Sequence, residues 1–386
     1  MKDKDAREAP PPPPPRGQGE TREAATGLER DMRVLLLGGS NAGVYFGWAA
    51  QLQGLMPEHD ITNRFLGAVG SLYGLARLQE AERRGEAPPD LIVFEYALND
   101  VILLDAGFAT TALVHDALTS VAQHCAERGV PLLFLCLRPR PTGRARVYSC
   151  VRRVERIYDG VAKAHGMARC VTLATIFGAE RSEDFVDAHH LTAEASSRCA
   201  EVVAGIIASG DIPVPKRSPF HAPVFDYVPA TEAQRQGRCR SVEISSTVFS
   251  GTFLELARPG SCRWPGRGRL AGAMLRSTEA SGAYRVSAGG RAYAKTAQSS
   301  MREIVPNLIL LHYSTRRPWA NRDLEIAMPD DEGVLTALPE EKTLLPAEPT
   351  TPFAEQTLQI AGVMFWRPSF WRRWLILLQL RLSPAR

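Results

Sequence analysis

The feature that most constrains this chain is a regular alternation of short apolar runs and helical stretches between residues 33 and about 210. The apolar runs occupy residues 34–37, 91–96, 131–137 and 170–173. The helical stretches occupy residues 73–84, 109–128, 146–165 and 192–208. Runs that are apolar at nearly every position are typical of parallel strands covered on both faces. The alternation therefore predicts an open α/β parallel sheet with helices on both faces.

The second half of the chain has a different sequence pattern. Between residues 238 and 328, short β-prone runs at 241–244, 252–256 and 307–313 alternate with glycine-rich turns, and helical periodicity is absent. This pattern predicts a smaller antiparallel β-sandwich domain.

These two sequence patterns define a predicted domain organisation. The N-terminal segment carries six consecutive prolines and little apolar material, so we expect it to be disordered. A strand begins directly after Met32, which makes that residue an alternative start of translation. The predicted order is a disordered tail (1–31), an α/β domain (32–210), a linker (211–237), a β-sandwich (238–335), and a linker with a basic aromatic tail (336–386).

Length and composition exclude several classes of protein. A chain of 386 residues suits two domains. With 45% hydrophobic and 23% charged residues, it is neither wholly disordered nor fibrous. The net charge of +4 is too small to indicate nucleic-acid binding, and we attribute the 40 arginines against six lysines to codon usage. Seven cysteines without a C-x-x-C pair indicate neither a disulfide framework nor a zinc ribbon.

The two ends bear on location. The N-terminal segment lacks the apolar core of a signal peptide, so we expect a cytoplasmic protein. Residues 365–380 hold three of the six tryptophans, several arginines and an apolar run shorter than the ~20 residues that span a bilayer. This segment either docks on its own protein or makes weak contact with a membrane surface. Trp264 and Trp319 either stack on sugar rings or belong to the scaffold.

Polar clusters stand at the ends of the predicted strands, where parallel sheets bind their ligands. They are Gly38-Gly39-Ser40-Asn41, Ala97-Leu98-Asn99-Asp100 and Asp187-Ala188-His189-His190. Glycines around Ser40 would let its hydroxyl stand exposed at a strand-to-helix turn. Asp187 lies three residues before His190, so its carboxylate can bind one ring nitrogen and leave the other free.

Each cluster also has a simpler interpretation. Ser40 could belong to an ordinary turn, and Asn99-Asp100 or Asp187 with His190 could cap helices. Asp187, His189 and His190 could also hold a metal ion, but no second ligand cluster at a fitting spacing supports this.

Taken in order, the three clusters resemble the blocks of the SGNH/GDSL hydrolase superfamily over residues 33–208. The first block, usually Gly-Asp-Ser, corresponds to Gly38-Gly39-Ser40, so Gly39 replaces an aspartate. The third block, Gly-x-Asn-Asp, corresponds to residues 97–100, and the fifth, Asp-x-x-His, to residues 187–190. The resemblance implies a three-layer, flavodoxin-like parallel sheet. It also implies a second block within residues 63–71.

The resemblance further implies a serine esterase that needs no metal or organic cofactor. Ser40 would be the nucleophile, His190 the general base and Asp187 its partner. The oxyanion hole would consist of the Ser40 amide, the Asn99 side chain and an amide of the second block, at Ala68 or alternatively at Gly67 or Gly70. The expected substrate is a small acyl ester, such as an O-acetyl group on a carbohydrate. O-acyl transfer and non-catalytic binding of a glycan or protein remain alternatives, and the sequence does not indicate an oligomeric state.

Overall fold

The computed structural model describes residues 31–167, 170–178, 181–217, 223–245, 249–303 and 308–368. The segment 1–31, predicted to be disordered, lies outside the described residues except for Asp31. The remainder, Met32–Arg386, forms one compact unit. Among the described residues, no helix has the length and apolar content needed to cross a membrane.

The first half of this unit is an α/β structure. Its strands are β1 (Arg33–Gly38), β2 (Asp60–Asn63), β3 (Leu91–Glu95), β4 (Leu132–Cys136) and β5 (Val171–Thr172). Its helices are α1 (Ser40–Gly43), α2 (Trp48–Leu55), α3 (Ser71–Arg83), α4 (Ala97–Asp105), α5 (Thr111–Arg128), α6 (Ala145–Ala164), α7 (Leu173–Phe177) and α8 (Ala193–Ser209). Within the described residues the strands form one parallel sheet in the order β2-β1-β3-β4-β5. This is the flavodoxin-like order, so the predicted fold is confirmed.

The strands are apolar at nearly every position because both faces of the sheet are covered. Leu35 and Leu37 of β1 belong to a core that includes side chains of α3, α5 and α6. Val34 and Leu36 point to the opposite face, into a core shared with α2 and α8. Three layers follow directly from this two-sided burial.

The second half is built of antiparallel strands. They are β6 (Val224–Pro229), β7 (Gln234–Ser245), β8 (Ser250–Trp264), β9 (Arg267–Arg276), β10 (Ala283–Ala288), β11 (Arg291–Thr296), β12 (Ile309–Tyr313), β13 (Trp319–Asn321), β14 (Leu324–Met328) and β15 (Thr357–Arg367). A short helix, α9 (Glu332–Thr336), follows β14. Within the described residues these ten strands form one continuous sheet.

The continuous sheet makes two layers because its long strands change partners. Strand β8 pairs with β15 over residues 254–257 and with β14 over residues 260–264. Side chains from both sets of strands, such as Leu256 and Tyr284, share one buried core. The β-sandwich predicted from the sequence is therefore present, with strands that pass from one layer to the other.

Two predicted segment boundaries need correction. Strand β6 and the start of β7 lie within the segment 211–237, which we expected to be a linker. Strand β15 lies within the segment 336–386, expected to be a linker and tail, yet it occupies the middle of the sheet between β8 and β9. Because β15 is buried on both faces, its sequence does not alternate between polar and apolar residues. It also follows a proline-rich stretch, which favours the prediction of a linker.

The burial of β15 also bears on the predicted membrane contact of residues 365–380. Phe365 and Trp366 are buried within the protein and are not available to a membrane surface. This agrees with the alternative that the segment docks on its own protein. Residues 369–380 lie outside the described residues.

The two halves share a continuous apolar core. Side chains of β6, β9, β12 and β15 pack with those of α3 and α5. The indole Nε1 of Trp366 donates a 3.0 Å hydrogen bond to a carboxylate oxygen of Asp116 on α5. At the edge, Arg83 pairs with Asp226 at 2.8 Å and with Glu232 at 2.7 Å. The β-sandwich and the α/β half therefore pack as one rigid unit, since domains that share an apolar core do not move as hinged bodies.

Candidate active site

Ser40 lies just beyond the end of β1, at the carboxyl edge of the sheet. β1 ends at Gly38, Gly39 precedes the first turn of α1, and Ser40 begins that helix. The Gly39 amide donates to the Glu95 backbone carbonyl at 3.0 Å and to its side-chain carboxyl at 3.1 Å. These two bonds tie the turn before Ser40 to the end of β3.

A hydrogen-bonded chain leads from Ser40 to Asp187. The Ser40 Oγ lies 2.8 Å from His190 Nε2, and His190 Nδ1 lies 2.7 Å from Asp187 Oδ2. The other Asp187 oxygen accepts hydrogen bonds from the amides of His189 and His190, at 2.7 and 2.8 Å. The structure therefore brings together the three side chains that the sequence predicts as nucleophile, base and base partner.

The charge state of Asp187 determines which ring nitrogen of His190 is protonated. Partial burial would raise the pKa of Asp187, but hydrogen bonds from the His190 ring and from the His189 and His190 amides outweigh it and lower the pKa to about 2. An ionised carboxylate only accepts hydrogen bonds, so Nδ1 of His190 carries the proton. Nε2 is then an acceptor that faces the Ser40 hydroxyl, which is the arrangement a general base requires.

The helix-capping alternative for this turn does not hold. The N-cap of α8 is Thr192, whose side chain accepts a hydrogen bond from the Ala195 amide. Asp187 and His190 therefore lie before the capped turn, and their side chains bind each other and Ser40 instead. His189 is exposed, as expected for a neighbour of the base, and no group of three or more metal-ligand side chains occurs in the described part of the chain.

Asn41 holds the histidine turn against the serine turn. Its side-chain Nδ2 donates to the His189 carbonyl at 2.9 Å, and its Oδ1 accepts from the Leu191 amide at 2.9 Å. The residue after the serine thus fixes the backbone on both sides of His190. We had not assigned this role from the sequence, where the only signal is the position of Asn41 within the first block.

The second block lies directly against Ser40. A methyl group built on Gly67 would stand 3.3 Å from the Ser40 Cβ. Next to it, Ala68 has a φ of +58°, in the left-handed region that costs a non-glycine residue about 1 kcal/mol. Such strain is concentrated at functional sites. Among the described residues, neither the Ser40 amide nor the Ala68 amide has a hydrogen-bond acceptor, so both are available to a ligand.

The third block contributes Asn99 from the first turn of α4. The N-cap of this helix is Tyr96, so the simple capping role for Asn99 and Asp100 does not hold. The Asn99 side chain lies over Gly39, where an added methyl group would meet Oδ1 at 2.2 Å. Only glycine at position 39 permits this approach. Gly39, which stands where the resembled SGNH/GDSL family usually has an aspartate, is therefore linked to the placement of Asn99.

A buried carboxyl from β3 stands behind the Ser40 turn. Burial raises the pKa of Glu95 to about 8, against the opposing effects of the Gly39 amide and the Trp48 indole. This carboxyl supports the turn from the neighbouring strand, in place of the side chain that Gly39 lacks. We did not select Glu95 from the sequence, where the only signal is one acidic residue at the end of an apolar run.

Asp100 and Tyr313 support the second block. Asp100 accepts the Ser71 amide at 2.9 Å, the Ser71 hydroxyl at 3.2 Å and the Tyr158 hydroxyl at 2.9 Å. Burial raises the pKa of Asp100 to about 7 against these hydrogen bonds. Gly70, one candidate oxyanion donor, instead packs against this carboxyl and the hydroxyl of Tyr313 from β12. The β-sandwich therefore reaches the segment that carries Ala68.

The comparisons with known proteins bear on the fold. No protein-family model and no curated protein matches the chain. Two solved structures of a two-domain esterase (CEX) active on acetylated mannans align with 88% of this chain. One of them, co-crystallised with mannopentaose, has 14% identity, a TM-score of 0.52 and 91% coverage of its own chain. The other has 12% identity, a TM-score of 0.54 and 92% coverage.

These alignments extend over both halves of the chain and show that it shares the two-domain fold of those structures. They confirm the architecture that the SGNH/GDSL resemblance predicts. A structure of TesA, 23% identical, aligns with 46% of this chain and 98% of its own, with a TM-score of 0.36.

Proposed function

We propose that the protein is a serine esterase that hydrolyses O-acetyl groups on a carbohydrate. The observation that carries this proposal is the chain of hydrogen bonds from Ser40 through His190 to Asp187, of 2.8 and 2.7 Å. Together with a turn that exposes the serine hydroxyl, this chain has the geometry of an activated nucleophile.

In the first half-reaction, Ser40 Oγ attacks the acetyl carbonyl carbon while its proton passes to His190 Nε2. The ionised Asp187 stabilises the resulting imidazolium and holds its orientation. The carbonyl electrons form an oxyanion, which meets the Ser40 and Ala68 amides and the Asn99 side-chain amide. Donors of this kind are worth about 3–4 kcal/mol each in comparable enzymes. When the oxyanion collapses, the alcohol leaves with the proton from His190, and acetyl-Ser40 remains.

In the second half-reaction, water attacks the acetyl-enzyme. His190 Nε2 takes a proton from the water, and the tetrahedral intermediate collapses to acetate while His190 returns the proton to Ser40 Oγ, which regenerates the free hydroxyl. The Asp187 side chain is 53% exposed and the His190 side chain 29%, so water reaches this site. Such access favours hydrolysis over acyl transfer, since transfer requires exclusion of water.

The carbohydrate part of the proposal draws support from the solved structures. The two-domain esterase that aligns with both halves of this chain acts on acetylated mannans. Because fold alone does not fix function, the substrate class is a proposal that needs its own test.

The direct test is intact-mass labelling with a fluorophosphonate, on the native protein and on Ser40→Ala. We expect one adduct on the native protein and none on the variant. Hydrolysis of p-nitrophenyl acetate should fall at least ~10³-fold in Ser40→Ala and in His190→Ala, the scale of triad deletions. Glu183→Gln, an exposed change in the loop before Asp187, serves as the matched control and should label normally.

Other outcomes of these experiments would contradict the esterase proposal. Folded native protein without an adduct, or both variants at full rate, would rule out the esterase. The chain would then be tested as a non-catalytic glycan-binding module, which Ser40→Ala should not impair. Rapid labelling with slow release of acetate in water, and faster release with an added sugar alcohol, would identify an acyltransferase.

A further inference from the structure

The loop after β4 is unusually basic. Residues 138–146, which we call the arginine loop, contain Arg138, Arg140, Arg144 and Arg146. The whole stretch 137–154 has six arginines and no aspartate or glutamate. The overall excess of arginine explains the choice of arginine over lysine, but it does not explain a stretch that lacks acidic residues.

The fold places this loop at the candidate active site. β4 is the neighbour of β3, so the loop leaves the same carboxyl edge of the sheet as Ser40 and Asn99. The Arg140 amide donates a 3.0 Å hydrogen bond to the Ala188 carbonyl. Ala188 lies between Asp187 and His189, so the arginine loop is hydrogen-bonded to the turn that presents His190.

Two of the four guanidinium groups have structural partners, and two do not. Arg138 pairs with Glu155 at 3.2 Å, and Arg146 pairs with Asp105 at 2.8 Å. Arg140 and Arg144 are exposed, and among the described residues no carboxylate lies within 4.0 Å of either. The nearby Asp187 carboxylate is already bound by the His190 ring and two amides. Within the part of the chain that the structure describes, the charges of Arg140 and Arg144 are therefore not paired with a carboxylate.

Exposed aromatic rings follow both Ser40 and Arg144 in the sequence. Tyr45, 90% exposed, lies just after α1, the helix that Ser40 begins. Tyr148, also exposed, lies in the first turn of α6, four residues after Arg144. The Tyr45 ring can offer a flat apolar face to a sugar, whereas the Arg152 guanidinium lies over the Tyr148 ring, 5.8 Å from its centroid. A guanidinium binds a carboxylate with two parallel hydrogen bonds.

From this juxtaposition we propose that the acetylated substrate is an acidic glycan, whose uronate carboxylate is bound by Arg140 and Arg144 beside the acetyl ester. The inference rests on the proposed esterase function and specifies its substrate class. It makes Arg140 and Arg144 specificity residues that contact the glycan part of the substrate and take no part in the bonds that form and break.

The test compares a charged and a neutral polymer on the full chain. Acetylated polygalacturonate and acetylated mannan are offered at matched acetyl concentration, with p-nitrophenyl acetate as a small neutral ester. We expect kcat/KM to be at least ~10-fold higher for the polygalacturonate at low salt, and this advantage to shrink as sodium chloride screens the charges. In Arg140→Gln/Arg144→Gln, the loss on polygalacturonate should exceed the loss on p-nitrophenyl acetate at least ~10-fold.

A charge-matched control distinguishes local binding from general attraction. Arg153→Gln/Arg156→Gln removes two exposed arginines farther along α6 and should keep the preference for polygalacturonate. Equal losses in the two double variants, or equal rates on the two polymers, would overturn the inference. The same preference for a phosphorylated or sulfated acetyl glycan would show that the site reads negative charge in general and would overturn the assignment to uronate.

A binding experiment separates this inference from the esterase proposal. Non-acetylated polygalacturonate is titrated into Ser40→Ala, with or without the two arginine substitutions, so that no turnover is needed. Binding that Arg140→Gln/Arg144→Gln weakens at least ~10-fold supports the acidic-glycan site. Failure on p-nitrophenyl acetate would count against the esterase alone, and absence of binding would count against the arginine site alone.

Discussion

The backbone amide of Gly39 donates a 3.1 Å hydrogen bond to a side-chain oxygen of Glu95, a carboxyl that is completely buried. The donor stands next to the proposed nucleophile, and the acceptor ends the neighbouring strand. In the resembled family an aspartate usually stands where this chain has Gly39. Here the carboxyl that binds the turn before Ser40 belongs to Glu95, at the end of β3. Burial raises the pKa of Glu95 to about 8.

This raised pKa predicts a pH-dependent stability. In the unfolded chain Glu95 has a pKa near 4.5, so between this value and about 8 the folded protein binds more protons than the unfolded chain. The stability that Glu95 contributes is complete below pH 4.5 and is lost as the pH rises through 8. Relative to Glu95→Gln, the native protein should lose up to about 1.4 kcal/mol per pH unit in that window.

Urea denaturation of both proteins at several pH values between 5 and 8.5 measures this difference. Asp100, whose pKa burial raises to about 7, titrates in both proteins, and its charge raises the pKa of Glu95, so the difference between the two proteins reports Glu95 together with this coupling. A difference in unfolding free energy that stays constant across this pH range would contradict a raised pKa for Glu95.

The contact between Gly39 and Asn99 predicts that the family's usual residue would harm this protein. Any side chain at position 39 must displace Asn99, because a methyl group there would meet Oδ1 at 2.2 Å. We expect Gly39→Asp to lower kcat for p-nitrophenyl acetate about 10²- to 10³-fold, the effect of losing one oxyanion donor. The measurement is steady-state kinetics, with circular dichroism to verify folding.

A double-mutant cycle tests the cause. Asn99→Ala should lower kcat by a similar factor with little unfolding. If Gly39→Asp acts by displacing Asn99, the two losses will not add when the substitutions are combined. Full additivity, or an active Gly39→Asp, would refute this explanation.

The ionised state of Asp187 predicts the effect of an amide at that position. The side-chain amide that Asp187→Asn introduces could donate to His190 Nδ1, which would put the ring proton on Nε2, facing Ser40. The base would then hold the wrong tautomer, and we expect kcat to fall about 10²- to 10⁴-fold. Because the Asp187 side chain is 53% exposed, the fold should persist.

Kinetics at neutral pH, paired with a thermal melt, check this prediction. Glu183→Gln is the control, since Glu183 lies in the same loop, is 69% exposed and approaches Arg181 rather than His190. A normal rate in Asp187→Asn would mean that the carboxylate does not set the tautomer.

The sequence was sufficient to predict which blocks would meet. Ser40 and Asn99 follow strands of one parallel sheet, and the carboxyl ends of such strands share an edge. Asp187 and His190 precede α8, which packs on the same sheet. The local pattern of each block therefore specified both its place in the chain and its place in the fold.

What the sequence did not predict depends on tertiary surroundings. Glu95 acquires its raised pKa from burial beneath the Ser40 turn and, to a smaller extent, from the charge of Asp100. Strand β15 was missed because a strand buried in the middle of a sheet lacks the alternation that marks a half-exposed one. The sequence analysis attributes the arginines of the whole chain to codon usage and does not single out the arginine loop, whose connection to the histidine turn is a tertiary contact, the hydrogen bond from the Arg140 amide to the Ala188 carbonyl.

The shared core predicts that the two halves unfold together and that Trp366 is central to both. Trp366 is buried, stacks on Phe225 with ring centroids 6.2 Å apart, and donates a hydrogen bond to Asp116 on α5. We expect Trp366→Ala to lower the free energy of unfolding by about 3–5 kcal/mol, the range for large buried aromatics. Trp366→Phe keeps an aromatic ring and loses the indole N–H, so it should cost less.

Trp319→Ala is the matched control, because Trp319 lies on the same β-sandwich but is 52% exposed. Its effect should stay within about 0.5 kcal/mol, as for most surface positions. Urea denaturation followed by fluorescence, and in parallel by loss of fluorophosphonate labelling at Ser40, measures both halves at once. Coincident transitions that shift together in Trp366→Ala are the expected result. Separate transitions, or a Trp366→Ala variant as stable as Trp319→Ala, would show that the β-sandwich is an independent attachment.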